Sequence, residues 1–191
     1  MLVLIRHGES EDNEIGKMGG QLNSSLTSLG KHQVNEAKKN LSGYNFDAVF
    51  TSDLLRAIET TQGIIGHRVP ESEWILAEEL RERSGGVYEG MTYTELWKML
   101  PPKKYKLWQR DYFEAPPLGE SLSDLYDRVI PYFKEYVVPL VNQNKYVLVV
   151  SHANVMKVII GFIKGLDETA IINLPYAEHA IPYVLYGKVN A

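Results

Sequence analysis

Leu2-Val3-Leu4-Ile5-Arg6-His7-Gly8 and Tyr146-Val147-Leu148-Val149-Val150-Ser151-His152-Ala153 decide the fold, because two short apolar runs close in the same way, on a polar residue followed by a histidine. Runs of this length, without polar alternation, suit strands buried on both faces of a parallel sheet. Both histidines then stand at strand carboxyl ends. A third run, Ala48-Val49-Phe50, leads through Thr51-Ser52 into an amphipathic stretch from Asp53 to about Ile65, with Leu54, Ala57, Ile58, Thr61 and Ile65 near one face. Open parallel sheets bind ligands outside the carboxyl ends of their strands. His7, His152 and the early-helix residue Arg56 are therefore expected around one crevice.

The helices between these strands are legible. Leu26 to about Leu41 carries Leu29, Val34, Ala37 and Leu41, and Thr92-x-x-Glu95 is a capping box opening a short helix that ends before Pro101-Pro102. Ser121 to about Val141 keeps its apolar residues at 3/4 spacing, with Ser121 and Asp124 placed to satisfy the first amides. A last helix after His152 buries Val155, Val158, Ile159 and Phe162 and stops near Gly165. This alternation predicts an α/β fold: a three-layer α/β/α sandwich with a mostly parallel central sheet, in one domain over 1–191. Pro101 to Gly119 interleaves Tyr105, Trp108, Tyr112 and Phe113 with Lys103, Lys104, Lys106 and Arg110, and reads as part of a small lid insertion at about 92–119, or as a subdomain packing its aromatics on the core.

The chain has 191 residues, and 20 Lys and Arg against 24 Asp and Glu give a formal charge of −4. This balance excludes a general nucleic-acid field and points to a small anionic partner. No cysteine is present, which removes disulfides, thiolate nucleophiles and Cys-ligated metals. Arg6 interrupts the N-terminal apolar run too early for a secretory signal, and no run reaches membrane-span length, so the expected location is cytoplasmic, with no membrane partner.

Arg6 and Arg56 offer planar donor forks suited to phosphate or carboxylate, and His7 and His152 add donors or a nucleophile. The pair of histidines also fits a metal site, but no HxH, HExxH or DxD cluster supplies a third ligand, and no metal is expected. Walker A, GxGxxG and GxSxG motifs are missing, which removes the common nucleotide-binding and serine-hydrolase readings.

The order of the remaining motifs carries a resemblance. Leu4-Ile5-Arg6-His7-Gly8-Glu9-Ser10 resembles the RHG signature of the histidine phosphatase superfamily, the phosphoglycerate mutase-like family. Asn13, Gly20 and Leu26-Thr27-x-x-Gly30 resemble its N…G…LTxxG pattern, and Thr51-Ser52-x-x-x-Arg56-Ala57-x-x-Thr60 its TSxxxRAxxT helix start. Leu80-x-Glu82-x-x-x-Gly86-x-x-Glu89-Gly90 is similar to its LxExxxGxxEG segment, Gly119-Glu120-Ser121 to its GES, and Ser151-His152-Ala153 to its SHG, with Ala for Gly. The resemblance implies His7 as the phosphoryl-accepting nucleophile, Arg6, Arg56 and His152 as the phosphate pocket, and Glu82 as proton donor and later base. Asn13, Lys17, Gly19, Gly20, Arg110, Ala153 and Asn154 are the expected substrate-side contacts. His32, His67 and His179 have no motif support and are assigned structural roles.

Two reactions fit the resemblance. Asn154 and the stretch Asp127-Arg128-Val129-Ile130-Pro131-Tyr132 lean toward a 2,3-bisphosphoglycerate-dependent phosphoglycerate mutase. Tyr93 and Gln109, standing where the mutases carry a substrate-binding Lys and one of two paired Arg residues, lean toward hydrolysis. The favoured expectation is a phosphatase of small phosphorylated metabolites that needs no cofactor, with 2,3-bisphosphoglycerate required only by a mutase. A non-catalytic phospholigand-binding protein is the third reading, and the chain is expected as a monomer or homodimer.

Overall fold

The computed structural model describes residues 1–102 and 111–189. Its strands are β1 (Leu2–Arg6), β2 (Ala48–Ser52), β3 (Ile75–Ala77), β4 (Val147–Ser151) and β5 (Pro182–Leu185). They form one sheet in the order β3-β2-β4-β1-β5, parallel except for β5, which runs antiparallel to β1. The helices that matter below are α1 (Glu11–Glu14), α2 (Ser28–Asn40), α3 (Leu55–Ile65), α4 (Tyr93–Met99), α5 (Leu122–Tyr132), α6 (Val138–Asn142), α7 (Ala153–Lys164) and α8 (Glu168–Asn173).

The unbroken apolar runs follow from burial on both faces of the sheet. Leu2, Leu4, Val147 and Val149 join one core with Leu125, Val129 and Phe133 near α5 and Val155 and Ile159 of α7. Val3, Ile5, Leu148 and Val150 point the other way, into a second core with Val34 and Ala37 of α2 and Ala57 and Ile64 of α3. Successive side chains alternate across a strand, so one apolar run feeds two cores. The result is the three-layer α/β/α arrangement.

Helix ends match their local signals. Thr27, Thr92 and Ser121 each accept the N3 amide, and the last two form full capping boxes with Glu95 and Asp124. Gly165 closes α7 in the left-handed conformation at φ +62. Two expectations shift. Leu29, read as part of the apolar face of α2, is exposed. The long helix expected over Ser121 to Val141 is interrupted by a π turn at Phe133–Val137, bracketed by Pro131 and Pro139, each of which withholds an amide from the helical ladder. Of the expected lid, α4 is formed as predicted, while Lys103, Lys104, Lys106 and Arg110 lie outside the described residues.

Candidate active site

Parallel pairing without offset explains the shared ending of the two decisive runs. β1 and β4 run in register from Leu2↔Val147 to Arg6↔Ser151, and the His7 amide donates to the Ser151 carbonyl at 3.0 Å. His7 and His152 are therefore lateral neighbours, with ring centroids 5.1 Å apart at 59°. β2, on the other side of β4, delivers Ser52, whose Oγ lies 2.9 Å from His152 Nε2. Arg56 follows one turn later on α3.

The loop after His7 is held by close backbone packing. A Cβ on Gly8 would stand 2.7 Å from the Gly30 carbonyl oxygen, and one on Gly30 would stand 2.0 Å from that of Glu9. Any side chain at either position would force α2 off the loop. The Gly8 amide is received by Thr60 Oγ1 at 3.0 Å, tying the loop to α3.

His7 Nδ1 lies 2.7 Å from the Gly8 carbonyl oxygen. A carbonyl only accepts, so Nδ1 carries the proton and Nε2 is the lone-pair nitrogen. Arg56 Nε donates to that Nε2 at 3.3 Å, while its Nη1 and Nη2 donate to the Leu22 and Gly20 carbonyls, each at 2.7 Å. Complete burial, then Arg56 and Arg6, hold the His7 imidazole well below its usual range. His152 is held low in the same way, by burial first and then Arg56, His7 and Arg6. Both rings are neutral at neutral pH, the state in which a ring nitrogen can attack phosphorus.

Arg6 donates through Nη1 to the Ala177 carbonyl at 2.9 Å. Its Nε, together with His152 Nδ1, makes up the set of buried side-chain polar atoms without a hydrogen-bond partner among the described residues. Buried polar atoms are nearly always paired, so two orphans on this one cluster are a pattern that a bound anion would complete, with His152 in its Nδ1–H tautomer. Glu82 accepts the Arg83 amide at 2.8 Å and the Asn154 amide at 3.5 Å, which brings it to the start of α7.

Arg6, His7, Arg56 and Glu82 line a cleft of about 890 Å³, and Asn13, Lys17, Gly19, Gly20, Ala153 and Asn154 line it as expected. Asn13 uses Oδ1 to receive the Ser10 amide and hydroxyl, leaving its Nδ2 for a ligand, and Lys17 pairs with Asp12 at 3.2 Å. His152 stands behind His7, wholly buried, and does not itself line the cleft. Arg110 lies outside the described residues. Arg83, Lys157, Tyr176 and His179 line the cleft without having been singled out as site residues. His179, expected to be structural, sits 5.4 Å from His7 between ring centroids. The segment that brings it there has no motif, and long-range pairing with β1, through β5 and the Arg6–His179 bridge, places it.

Comparison with known proteins identifies the family. The profile of the histidine phosphatase superfamily (branch 1) matches residues 2–188. A phosphoglycerate mutase of Schizosaccharomyces pombe is 35% identical over 189 residues, covering 97% of this chain and 89% of that protein. A 2,3-bisphosphoglycerate-dependent phosphoglycerate mutase of Cytophaga hutchinsonii is 33% identical over 180 residues, covering 94% and 84%. The structure of a mycobacterial glucosyl-3-phosphoglycerate phosphatase in complex with VO3 superposes with a TM-score of 0.85 at 26% identity, covering 95% of this chain and 90% of that one. With the profile spanning almost the whole chain and the RHG histidine seated beside its two arginines, the protein belongs to the histidine phosphatase superfamily.

Proposed function

We propose that this enzyme hydrolyses small phosphomonoesters through a phosphohistidine on His7. The observation that carries the reading is the pair of orphaned buried polar atoms, Arg6 Nε and His152 Nδ1, beside a histidine whose lone-pair nitrogen faces Arg56. A phosphoryl group carried on His7 sits beside the Arg6 and Arg56 guanidinium groups, and reaches the His152 imidazole only by seating deeper than the open cleft wall. Phosphoryl transfer asks a protein chiefly for positioning and for neutralisation of the equatorial oxygens. In the first half, Arg56 Nε releases His7 Nε2 in favour of a phosphoryl oxygen, Nε2 bonds to phosphorus as the ester P–O bond breaks, and Glu82 gives its proton to the leaving alkoxide. In the second, water attacks phosphorus, the P–N pair returns to His7, and Glu82 takes the water proton.

The mutase reading has its own support in the relatives and in Asn154 at the cleft. The chemistry of the donor set bears on whether 2,3-bisphosphoglycerate fits. Its transferred phosphoryl group would go to His7, Arg6, Arg56 and His152, and its other anionic groups would fall to Lys17, Arg83 and Lys157 on the cleft wall. When bound, it supplies the phosphoryl group that primes the enzyme. Lys17 is already paired with Asp12, Lys157 donates to the Ile172 carbonyl at 3.1 Å, and Tyr93 stands where the mutases use a lysine. Hydrolysis is the better fit to these walls. Incubation with 3-phosphoglycerate, with and without 2,3-bisphosphoglycerate, decides between them: free phosphate is the expected product, and 2-phosphoglycerate formed only with the bisphosphate would establish the mutase instead.

A further inference from the structure

A third histidine in the cleft has no part in the steps above. The backbone bridge between Arg6 and His179 and the bond from the Ala180 amide to the Arg6 carbonyl, at 3.0 Å, pin His179 beside β1. Ala180 adopts φ +55, an unfavourable conformation for a residue with a Cβ, at the point where the chain delivers this ring. His179 Nδ1 lies 2.9 Å from the His7 carbonyl oxygen. That oxygen can only accept, so Nδ1 carries a proton and Nε2 of the neutral ring offers a lone pair. Nε2 has no hydrogen-bond partner among the described residues, and the residue lines the cleft.

The ionisable groups facing this ring are Arg6 at the end of β1 and His7 and Glu9 from the loop that follows. Partial burial and then Arg6 hold the imidazole below its usual range, and the His7 carbonyl and Glu9 oppose them. A phosphate dianion in the pocket changes that balance. It adds two negative charges beside a ring that is only partly buried, whereas His7 and His152 are buried completely.

We propose that His179 is a further phosphate-contacting residue, whose Nε2 takes up one proton from solvent as a phosphate dianion binds and then donates a hydrogen bond to one of its oxygens. The proposal rests on the phosphate-pocket reading above and adds to it a proton-linked contact. The bond formed is N–H, the proton comes from water or buffer, and nothing is oxidised or reduced. The sign follows directly. Binding is tightest where His179 is charged in the complex, and affinity falls as pH rises through the interval between its ring pKa in the free and bound states. The added dependence approaches tenfold per pH unit, on top of the titration of phosphate itself.

The test is calorimetric binding of inorganic phosphate between about pH 6 and 8.5, in buffers of different ionisation enthalpy, to the wild type and to His179→Asn. Asparagine keeps a side-chain donor for the His7 carbonyl. Titration of phosphate, His7 and His152 is common to both proteins, so the difference isolates His179. The expected result is a signed slope of log Kd against pH that is lower in the variant by close to one unit across that interval, with nearly one proton fewer taken up. Parallel curves and equal proton counts would overturn the proposal and leave His179 as a prop for His7. If the variant does not fold, ¹⁵N spectra of the wild type answer the same question: Nε2 of His179 must become protonated on addition of phosphate, and a ring that stays neutral refutes the contact. A wild type that binds no phosphate at all would overturn the pocket reading and this proposal with it.

Discussion

Arg128 should be needed for the chemistry although it lies away from the reacting atoms. From α5 its Nη1 donates to the Glu78, Glu79 and Arg81 carbonyls at 3.2, 2.8 and 3.1 Å, and its Nη2 reaches the Glu82 carbonyl at 3.3 Å. Nε and Nη2 meet the two oxygens of Glu120 at 2.7 Å each, and Glu120 Oε2 also receives the Ser84 amide at 2.8 Å. One guanidinium and its carboxylate thus grip both sides of the loop that presents Glu82. Arg128→Met keeps the stem and removes every bond the guanidinium makes, leaving Glu120 with the Ser84 amide. The side chains of Arg128 and Glu120 are 22% and 19% exposed, so the variant leaves a largely buried carboxylate without its cation. Breaking such a pair costs about 3–5 kcal/mol when fully buried, and the residual exposure places the expected loss at the lower end, about 3 kcal/mol. Urea unfolding should show this as a lower midpoint at unchanged slope. In activity, a displacement of Glu82 by about 1 Å costs on the order of 10²-fold where its proton is needed. Alkyl phosphates should lose about that much and p-nitrophenyl phosphate less than about tenfold, because an aryl oxide leaves without a proton. Glu82→Gln should show the same selectivity without the stability loss. Equal losses on both substrate classes, or full alkyl turnover in the destabilised variant, would refute the argument.

His7→Ala should abolish turnover with the fold intact, and acid-labile phosphate should be trapped on His7 of the wild type; full activity in the variant would sink the nucleophile assignment. Arg56→Ala should raise the barrier by about 2.7–4 kcal/mol, the scale of a lost oxyanion donor, seen as a fall in kcat. Since the pocket's charge is carried by guanidinium groups, activity should persist in EDTA, and inactivation reversed by added Mg, Mn or Zn would contradict this. His7 and His152 are held neutral in the fold but titrate near 6.5 in the unfolded chain, which therefore binds more protons below that pH. Stability is present above about pH 6.5 and falls with acidification, by up to about 1.4 kcal/mol per pH unit for each ring until its folded pKa is reached; a flat profile in urea titrations from about pH 7.5 to 5.5 would contradict it.

What could be read in advance divides by the range of the interactions responsible. β1, β2 and β4 are legible because each is buried on both faces and must be apolar throughout. β3 has three residues, two of them exposed, and β5 starts on a proline and is half-buried along its length, so neither carries a pattern of its own. Their places are set by pairing with β2 and β1. The place of His179 beside His7 is illegible in the sequence for this reason: it depends on a contact between residues more than 170 apart. Glu82 lies in the charged run Glu78 to Arg83, where burial patterning is silent, and only its spacing to Gly86, Glu89 and Gly90 separates it from its neighbours.

That spacing has a physical basis in Glu89. Its Oε1 receives the Gln21 amide at 3.0 Å, the Ser84 hydroxyl at 3.1 Å and the Gly85 amide at 2.9 Å. One carboxylate oxygen therefore fixes two loops at once. The first supplies the Gly20 and Leu22 carbonyls that orient Arg56, and the second carries Glu82. Gly20 sits at φ +49, and a Cβ there would stand 2.2 Å from the same Glu89 oxygen, so the approach of the two loops depends on glycine. With Nη1 and Nη2 already committed, the Arg56 guanidinium cannot turn to follow a ligand, and a phosphoryl group must come to it. Such a cation needs little reorganisation when charge develops at phosphorus, which is where preorganised donors gain most over water. The loop that orients Arg56 and the loop that carries Glu82 are thus set against each other by Glu89, a residue that does not itself line the cleft.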